Sequence, residues 1–173
     1  WEKLLTSRGL QLRAIYSTHG HGDHIAAAPA LAEKYDVPWY LNSEDDDLIS
    51  WSNNLLAGFG LPQIEPGYRR PTDISADTIQ ILPGVTMDVI ETPGHTPGGV
   101  MYYFPDFGIL ITGDTLFRDG FGRYDLPGGD ANALWQSISK VYELNLPDET
   151  YAVHGHGVDS TIGILKRENP YFK

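Results

Sequence analysis

Thr18-His19-Gly20-His21-Gly22-Asp23-His24 sets three imidazoles and a carboxylate close together, directly after Leu12 to Ser17, a stretch that reads as a strand. In an extended segment, residues two apart share a face. His19 and His21 can therefore converge on one cation while Asp23 and His24 aim at a second. With 6 His and 15 Asp in 173 residues, a shuffled chain would contain H-x-H-x-D-H only about 6 × 10⁻⁴ times. Two plainer readings compete: imidazoles hydrogen-bonded within a polar turn, or a closed structural metal site. Structural zinc sites are usually rich in Cys, and this chain has none.

Composition narrows the classes further. A chain of 173 residues, 41% hydrophobic, is long enough for one domain with a sizeable core, so residues 1–173 are read as a single domain. Lacking Cys, it has no disulfide, thiolate ligand or Cys nucleophile; the cytoplasm is the default compartment. No apolar run approaches the length of a membrane span, and Trp1-Glu2-Lys3-Leu4 does not open a signal peptide. Twelve Lys and Arg against 23 Asp and Glu give a net charge of −11, which argues against a nucleic-acid partner because phosphates need a basic face. Part of the acidic excess is Glu44-Asp45-Asp46-Asp47. It follows Ser43 and precedes helical spacing, so it reads as a first helical turn complementing the helix dipole.

The rest alternates strand-like and helix-like segments. His24 to Tyr35 reads as a helix, with Pro29 near its first turn or bending it. Val37 to Leu41 reads as a strand, and Pro62 to Pro71 as irregular. Strands are expected over Thr78 to Leu82, Val85 to Glu91, Val100 to Phe104, Gly108 to Thr112 and Tyr151 to Val153. Asp130 can cap a helix from Ala131 to Leu144, whose apolar stripe is Leu134, Ile138, Val141 and Tyr142. A last helix is expected from about Ser160 to Arg167.

Every other ligand-type residue of interest falls where a strand ends. His95 follows a strand in Thr92-Pro93-Gly94-His95-Thr96-Pro97-Gly98, Asp114 follows one in Thr112-Gly113-Asp114-Thr115, and His154 and His156 follow one in His154-Gly155-His156-Gly157. Each alone is weak. Together they place all six histidines in three strand-end loops.

The series T-H-x-H-x-D-H, T-P-G-H-T-P-G, T-G-D-T-L-F and G-H-G resembles the metallo-β-lactamase superfamily, and within it the glyoxalase II-like hydrolases in their short form, without a C-terminal helical domain. Phe117 to Asp130 is similar to the segment that follows the bridging aspartate in those proteins. The resemblance implies an α/β fold, an αββα sandwich of two mixed sheets flanked by helices. Family members carry several strands before the first His loop, whereas 18 residues precede His19 here, so N-terminal strands are expected to be missing and the domain to be truncated at its front.

Residue by residue, the resemblance implies His19, His21 and His95 on one metal, Asp23, His24 and His156 on a second, and Asp114 bridging both. His156 rather than His154 matches the family's G-H-G register, leaving His154 beside the site or exposed. Ligation by His and Asp suits two divalent ions, with Zn first and Fe or Mn as alternatives. Two such ions about 3.5–4 Å apart can share a water and ionise it near neutral pH. Asp23 and Asp114 then act in catalysis by holding the ions and orienting the nucleophile. The implied reaction is hydrolysis of a small-molecule thioester, such as glutathione-derived S-lactoylglutathione. Arg123 is the first candidate for a substrate carboxylate and Arg118 the second; ion pairs with Asp125 or Asp119 are the alternative for either. Rival readings are a mononuclear iron persulfide dioxygenase, which shares G-x-G-R-x-D, its last five positions being Phe121 to Asp125, and other superfamily hydrolases: lactonases, β-lactamases or phosphodiesterases.

Overall fold

Side chains alternate across the strand Val100–Phe104 and so decide how the layers stack. Met101 and Tyr103 pack to one side, Val100, Tyr102 and Phe104 to the other, as the two-residue period of a strand requires. Both faces are apolar, so both must be covered. The computed structural model, which describes residues 2–74 and 76–173, covers one face with helices and the other with a second sheet.

The elements run α1 (Glu2–Arg8), β1 (Ile15–Tyr16), α2 (Gly22–Ile25), α3 (Ala28–Tyr35), β2 (Trp39–Leu41), a 3₁₀ turn (Ser43–Asp45), α4 (Asp46–Gly58), β3 (Thr72–Asp73), β4 (Thr78–Leu82), β5 (Val85–Glu91), β6 (Val100–Phe104), a second 3₁₀ turn (Pro105–Phe107), β7 (Ile109–Gly113), α5 (Ala131–Glu143), β8 (Tyr151–His154), β9 (Ser160–Thr161) and α6 (Ile162–Glu168). Strands β1, β2 and β3 form a small sheet, parallel in both its pairings. Strands β4 to β9 form a larger sheet in chain order. That sheet is mixed, with β7 and β8 parallel and the other pairs antiparallel.

Three apolar clusters fill the gaps between four layers. Trp39 and Leu41 of the small sheet pack outward against Ile25, Ala32, Ile49 and Leu56 of α2, α3 and α4. Met87, Val89, Val100 and Tyr102 of the large sheet face Tyr16 and Tyr40 of the small one, where Tyr16 stacks on Tyr40 at 4.8 Å between ring centroids. Met101, Leu110 and Ala152 turn away from that seam onto Leu134, Ile138 and Val141 of α5 and Ile162 and Leu165 of α6. The result is the helix–sheet–sheet–helix order expected from the sequence, a two-sheet solution for elements that each carry an apolar face.

Several boundaries differ from the sequence reading. The helix expected over His24 to Tyr35 is two helices, α2 and α3. Pro29 sits at the start of α3, where its missing N–H costs no intrahelical bond. Asp130 caps α5 as expected, its Oδ1 accepting from the Ala133 N–H at 3.0 Å, but Tyr142 is largely exposed rather than part of the buried stripe. The two-residue strands β3 and β9 and the helix α1 were not foreseen. No described helix is long and apolar enough to cross a membrane.

Candidate metal centre

The chain leaves β1 and bends at Thr18 and His19; His21 is extended, with φ −73° and ψ 144°, and takes the N-cap position of α2. Asp23 and His24 therefore lie in the first turn of a helix, not on an extended loop, and His19 stands at a bend. His95 sits in the loop between β5 and β6, Asp114 directly after β7, and His156 two residues beyond β8. These loops are tied together at their roots. Tyr102 Oη donates to the Ser17 carbonyl at 2.7 Å, the Val100 N–H to the Thr18 carbonyl at 2.9 Å, and the Gly155 N–H to the Gly113 carbonyl at 2.9 Å.

All seven residues named from the sequence come together. The ligand atoms of His19, His21 and His95 lie within 4.8 Å of one another, as do those of His19, His24 and Asp114, and those of Asp23, His24 and His156. His21 Nδ1 faces His95 Nε2 at 2.9 Å, and His24 Nε2 faces His156 Nε2 at 3.2 Å. Asp114 stands between these pairs. Its carboxylate is 3.4 Å from His24 Nε2, 3.6 Å from His95 Nε2 and 3.3 Å from His156 Nε2. Asp23 is 3.3 Å from His156 Nε2. Gly155 leaves room for this: a Cβ there would collide with Asp114 Oδ1.

The donor set fits divalent cations. Among the described residues, His19 Nε2, His21 Nε2 and Asp114 Oδ1 are buried without a hydrogen-bond partner, and buried polar atoms are rarely left so. Burial, then the imidazoles of His24 and His95, hold His19 well below the ordinary imidazole value. Burial and His95 bring His21 to about 4. His95 is lowered by burial, against the opposing pull of its bond to the Arg123 carbonyl. Burial also disfavours charge on His24, but the Asp114 carboxylate 3.4 Å away outweighs it and raises its pKa. For Asp114, burial is likewise outweighed, first by the neighbouring His24 imidazole, and its carboxyl is lowered. Mostly neutral imidazoles around an ionised carboxylate are the protonation states that metal ligation needs.

A cleft of about 300 Å³ opens onto the cluster, lined by His21, Asp23, His95, Asp114 and His156 below and Leu55, Phe117, Phe121 and Leu126 above. Arg123 lies on its rim, with Nε and Nη2 each 2.9 Å from the Asp125 carboxylate. Arg118 borders a neighbouring hollow with Phe117, His156 and Val158; it pairs with Glu168 at 2.8 Å and with Asp119 at 3.7 Å. His154 is buried and not exposed. Its Nδ1 lies 2.8 Å from the Leu116 carbonyl and 2.9 Å from Thr112 Oγ1, and its Nε2 2.9 Å from Ser160 Oγ.

One residue near the centre was misread from sequence. Asp45 is wholly buried, and its carboxylate does not cap α4. It accepts instead from the loops that carry His19, His21 and His95. No signal within the run Glu44 to Asp47 separates Asp45 from its neighbours.

This combination of layered fold and His/Asp cluster is matched by known proteins. The profile of the Metallo-beta-lactamase superfamily matches residues 2–156. The chain belongs to that superfamily and is an enzyme of its metallo-hydrolase kind. It is 36% identical to the hydroxyacylglutathione hydrolase GloC of Haemophilus influenzae over 164 residues, covering 94% of this chain and 76% of that one. A crystal structure of TTHA1623 in a di-iron-bound form superposes with a TM-score of 0.86 at 36% identity, covering 98% of this chain and 82% of that one. A crystal structure of ETHE1 from Myxococcus xanthus gives a TM-score of 0.70 at 27% identity over 98% of this chain and 66% of that one.

Proposed function

We propose that this protein is a dinuclear metallohydrolase that cleaves thioesters, with a glutathione thioester such as S-lactoylglutathione as the leading substrate. The observation that carries the reading is the position of Asp114 within 3.6 Å of His24, His95 and His156, with histidines of both proposed sets against one carboxylate. We assign His19, His21 and His95 to one cation, Asp23, His24 and His156 to the other, and Asp114 to both. Zn is the first choice of metal, and the di-iron form of TTHA1623 keeps Fe in contention. Bound there, two divalent cations supply Lewis acidity and lower the pKa of a shared water from about 15.7 toward about 7.

The chain's own groups set the conditions for the reaction. Asp23 and Asp114 bring two negative charges against the positive charge of the ions and so offset part of it. The His95 Nδ1–H donates to the Arg123 carbonyl at 2.6 Å, which fixes the tautomer and leaves the Nε2 lone pair facing the centre. Leu55, Phe117, Phe121 and Leu126 form the dry upper wall of the cleft, where the acyl group is held away from bulk water. Arg123, on the rim, is placed to meet a carboxylate of the thiol portion. The net change is addition of water across the C–S bond: a C–O bond forms, the C–S bond breaks, and a carboxylic acid and a thiol leave.

The likeness to GloC of Haemophilus influenzae supports the glutathione assignment, and the loop sequence Phe121 to Asp125 keeps a persulfide dioxygenase as the second reading. A single iron held by two His and one carboxylate would leave Asp23, His24 and His156 without a task. Their convergence favours the hydrolase. Metal analysis together with turnover tests the choice: two equivalents of metal with cleavage of S-lactoylglutathione supports it, and one iron with oxygen consumption on glutathione persulfide overturns it.

A further inference from the structure

We propose that Asp45 is a positioning residue: its buried carboxylate pins the His19–His21 loop to the His95 loop and thereby sets the spacing of the three imidazoles assigned to the first cation. The inference rests on that assignment.

Four acids run from Glu44 to Asp47, yet Asp45 alone is fully buried. A carboxylate taken out of water without compensation is expensive, and no Lys, Arg or His pairs with Asp45 among the described residues. It is satisfied entirely by hydrogen bonds. Oδ2 accepts from the Gly20 N–H at 2.8 Å and from Thr96 Oγ1 at 2.8 Å, and Oδ1 accepts from the Gly98 N–H at 2.6 Å. Gly20 lies between His19 and His21, and Thr96 follows His95 directly. One side chain thus joins two loops that are about 75 residues apart in the chain, beyond the bond from the Val100 N–H to the Thr18 carbonyl at their roots.

The surroundings are shaped for this contact. A Cβ on Gly20 would come within 3.0 Å of Asp45 Cβ, and a Cβ on Gly98 within 2.9 Å of Asp45 Cγ. Both distances are too short, so both neighbours must lack a side chain for the carboxylate to reach their amides. Ser52, also buried and about two helix turns further along the chain, donates from Oγ to the Gly20 carbonyl at 3.0 Å. The Gly20 residue is held through its N–H by Asp45 and through its carbonyl by Ser52. Helix α4 is therefore a platform against which the His19–His21 segment is clamped, and Asp45 extends the clamp to His95.

An N-cap role for Asp45 would predict a bond to its own helix, and there is none. A role in stability alone would not require both partners to be neighbours of imidazoles that converge within 4.8 Å. Partners that orient metal-binding side chains typically govern affinity by ten- to a hundredfold.

The test is metal affinity measured by chelator competition, alongside thermal unfolding of the metal-free protein. Asp45→Asn keeps the shape but turns an amide NH₂ toward at least one donor. It is expected to weaken binding of the first cation by about ten- to a hundredfold and to alter the visible absorption of the cobalt(II)-loaded protein. Asp47→Asn, an exposed neighbour, is expected to change neither. Should Asp45→Asn fail to fold, Thr96→Val removes one of the three bonds at nearly constant shape and is expected to weaken binding severalfold. Parent-like affinity in a folded Asp45→Asn, or in Thr96→Val if only that variant folds, overturns the proposal. A parent protein that binds cations but leaves thioesters intact refutes the hydrolase reading and not this one; a parent that binds no cation refutes both.

Discussion

His95 is held through its far side by the main chain of Arg123: the imidazole Nδ1–H donates to the Arg123 carbonyl oxygen at 2.6 Å, while the Arg123 side chain points away to Asp125. The backbone and the side chain of one residue thus serve separate tasks. Replacing Arg123 by Ala should leave metal content unchanged, because the carbonyl remains. If the guanidinium meets a substrate carboxylate, KM for S-lactoylglutathione should rise by about fivefold, the modest size expected of an exposed charge contact, with kcat preserved. Loss of metal in the purified variant would contradict this division.

Asp114 touches imidazoles of both sets, so Asp114→Asn should depress both occupancies at once. The expected outcome is activity reduced by more than about a hundredfold and metal content well below two equivalents by elemental analysis. A variant that retains full metal loading would show that Asp114 does not bridge.

Gly155→Ala places a methyl group against the side-chain oxygen Oδ1 of Asp114 and 3.0 Å from the His24 ring, so the carboxylate, the imidazole or the loop must shift. Metal affinity should fall as in the Asp114 variant, while the far-UV circular dichroism spectrum stays that of the parent. Unchanged affinity would mean that the loop yields easily.

Acid should destabilise the metal-free protein in a defined window. His21 is brought to about 4, and His19 and His95 are also lowered, whereas the unfolded chain takes up these protons near pH 6.5. The unfolded state then binds more protons, so the stability these groups confer is complete above about pH 6.5 and drains away as pH falls toward 4. His24, raised by Asp114, acts in the opposite sense: its contribution is present below pH 6.5 and is lost as pH rises through its folded value. Three groups against one give a net loss on acidification. Thermal midpoints between pH 7 and pH 4 check the sign, and a midpoint that rises over this range would contradict it.

His154 supports the fold beside the centre. Its ring is hydrogen-bonded to the Leu116 carbonyl, Thr112 and Ser160, linking β7, β8 and the segment after Asp114. Truncation to Ala leaves those partners unpaired in a buried gap and should cost about 2 kcal/mol, read as a midpoint lower by about 4–8 °C. An unchanged midpoint would mean that water replaces the ring at no cost.

How much of this was legible in the sequence follows from where the information lies. His95, Asp114 and His156 stand out because each is a ligand type in a Gly-rich loop at the end of a strand of four to seven residues, whereas His19 and His21 follow the two-residue β1 and stand out by the density of ligand types between Thr18 and His24. The strands Thr78 to Leu82, Val85 to Glu91 and Val100 to Phe104 stand at the boundaries expected. Strands β3 and β9 are two residues long and too short to show any period. Tyr142 fits the helical stripe by spacing, but the core beside α5 closes at Val141 and Phe172, leaving its ring at the surface. Asp45 was illegible for a different reason. Its burial depends on amides at Gly20 and Gly98, and local composition carries no trace of contacts made so far along the chain.

The layering has one further consequence. The small sheet and its helices supply His19, His21, Asp23 and His24, while the large sheet supplies His95, Asp114 and His156, and each half has an apolar cluster of its own. A cation seated among these side chains would tie together, at the cleft, two halves that elsewhere meet through the apolar seam of Met87, Val89 and Tyr102 against Tyr16 and Tyr40. Stripping it away loosens the joint at the rim of the cleft, while the interior of either half keeps its own cohesion.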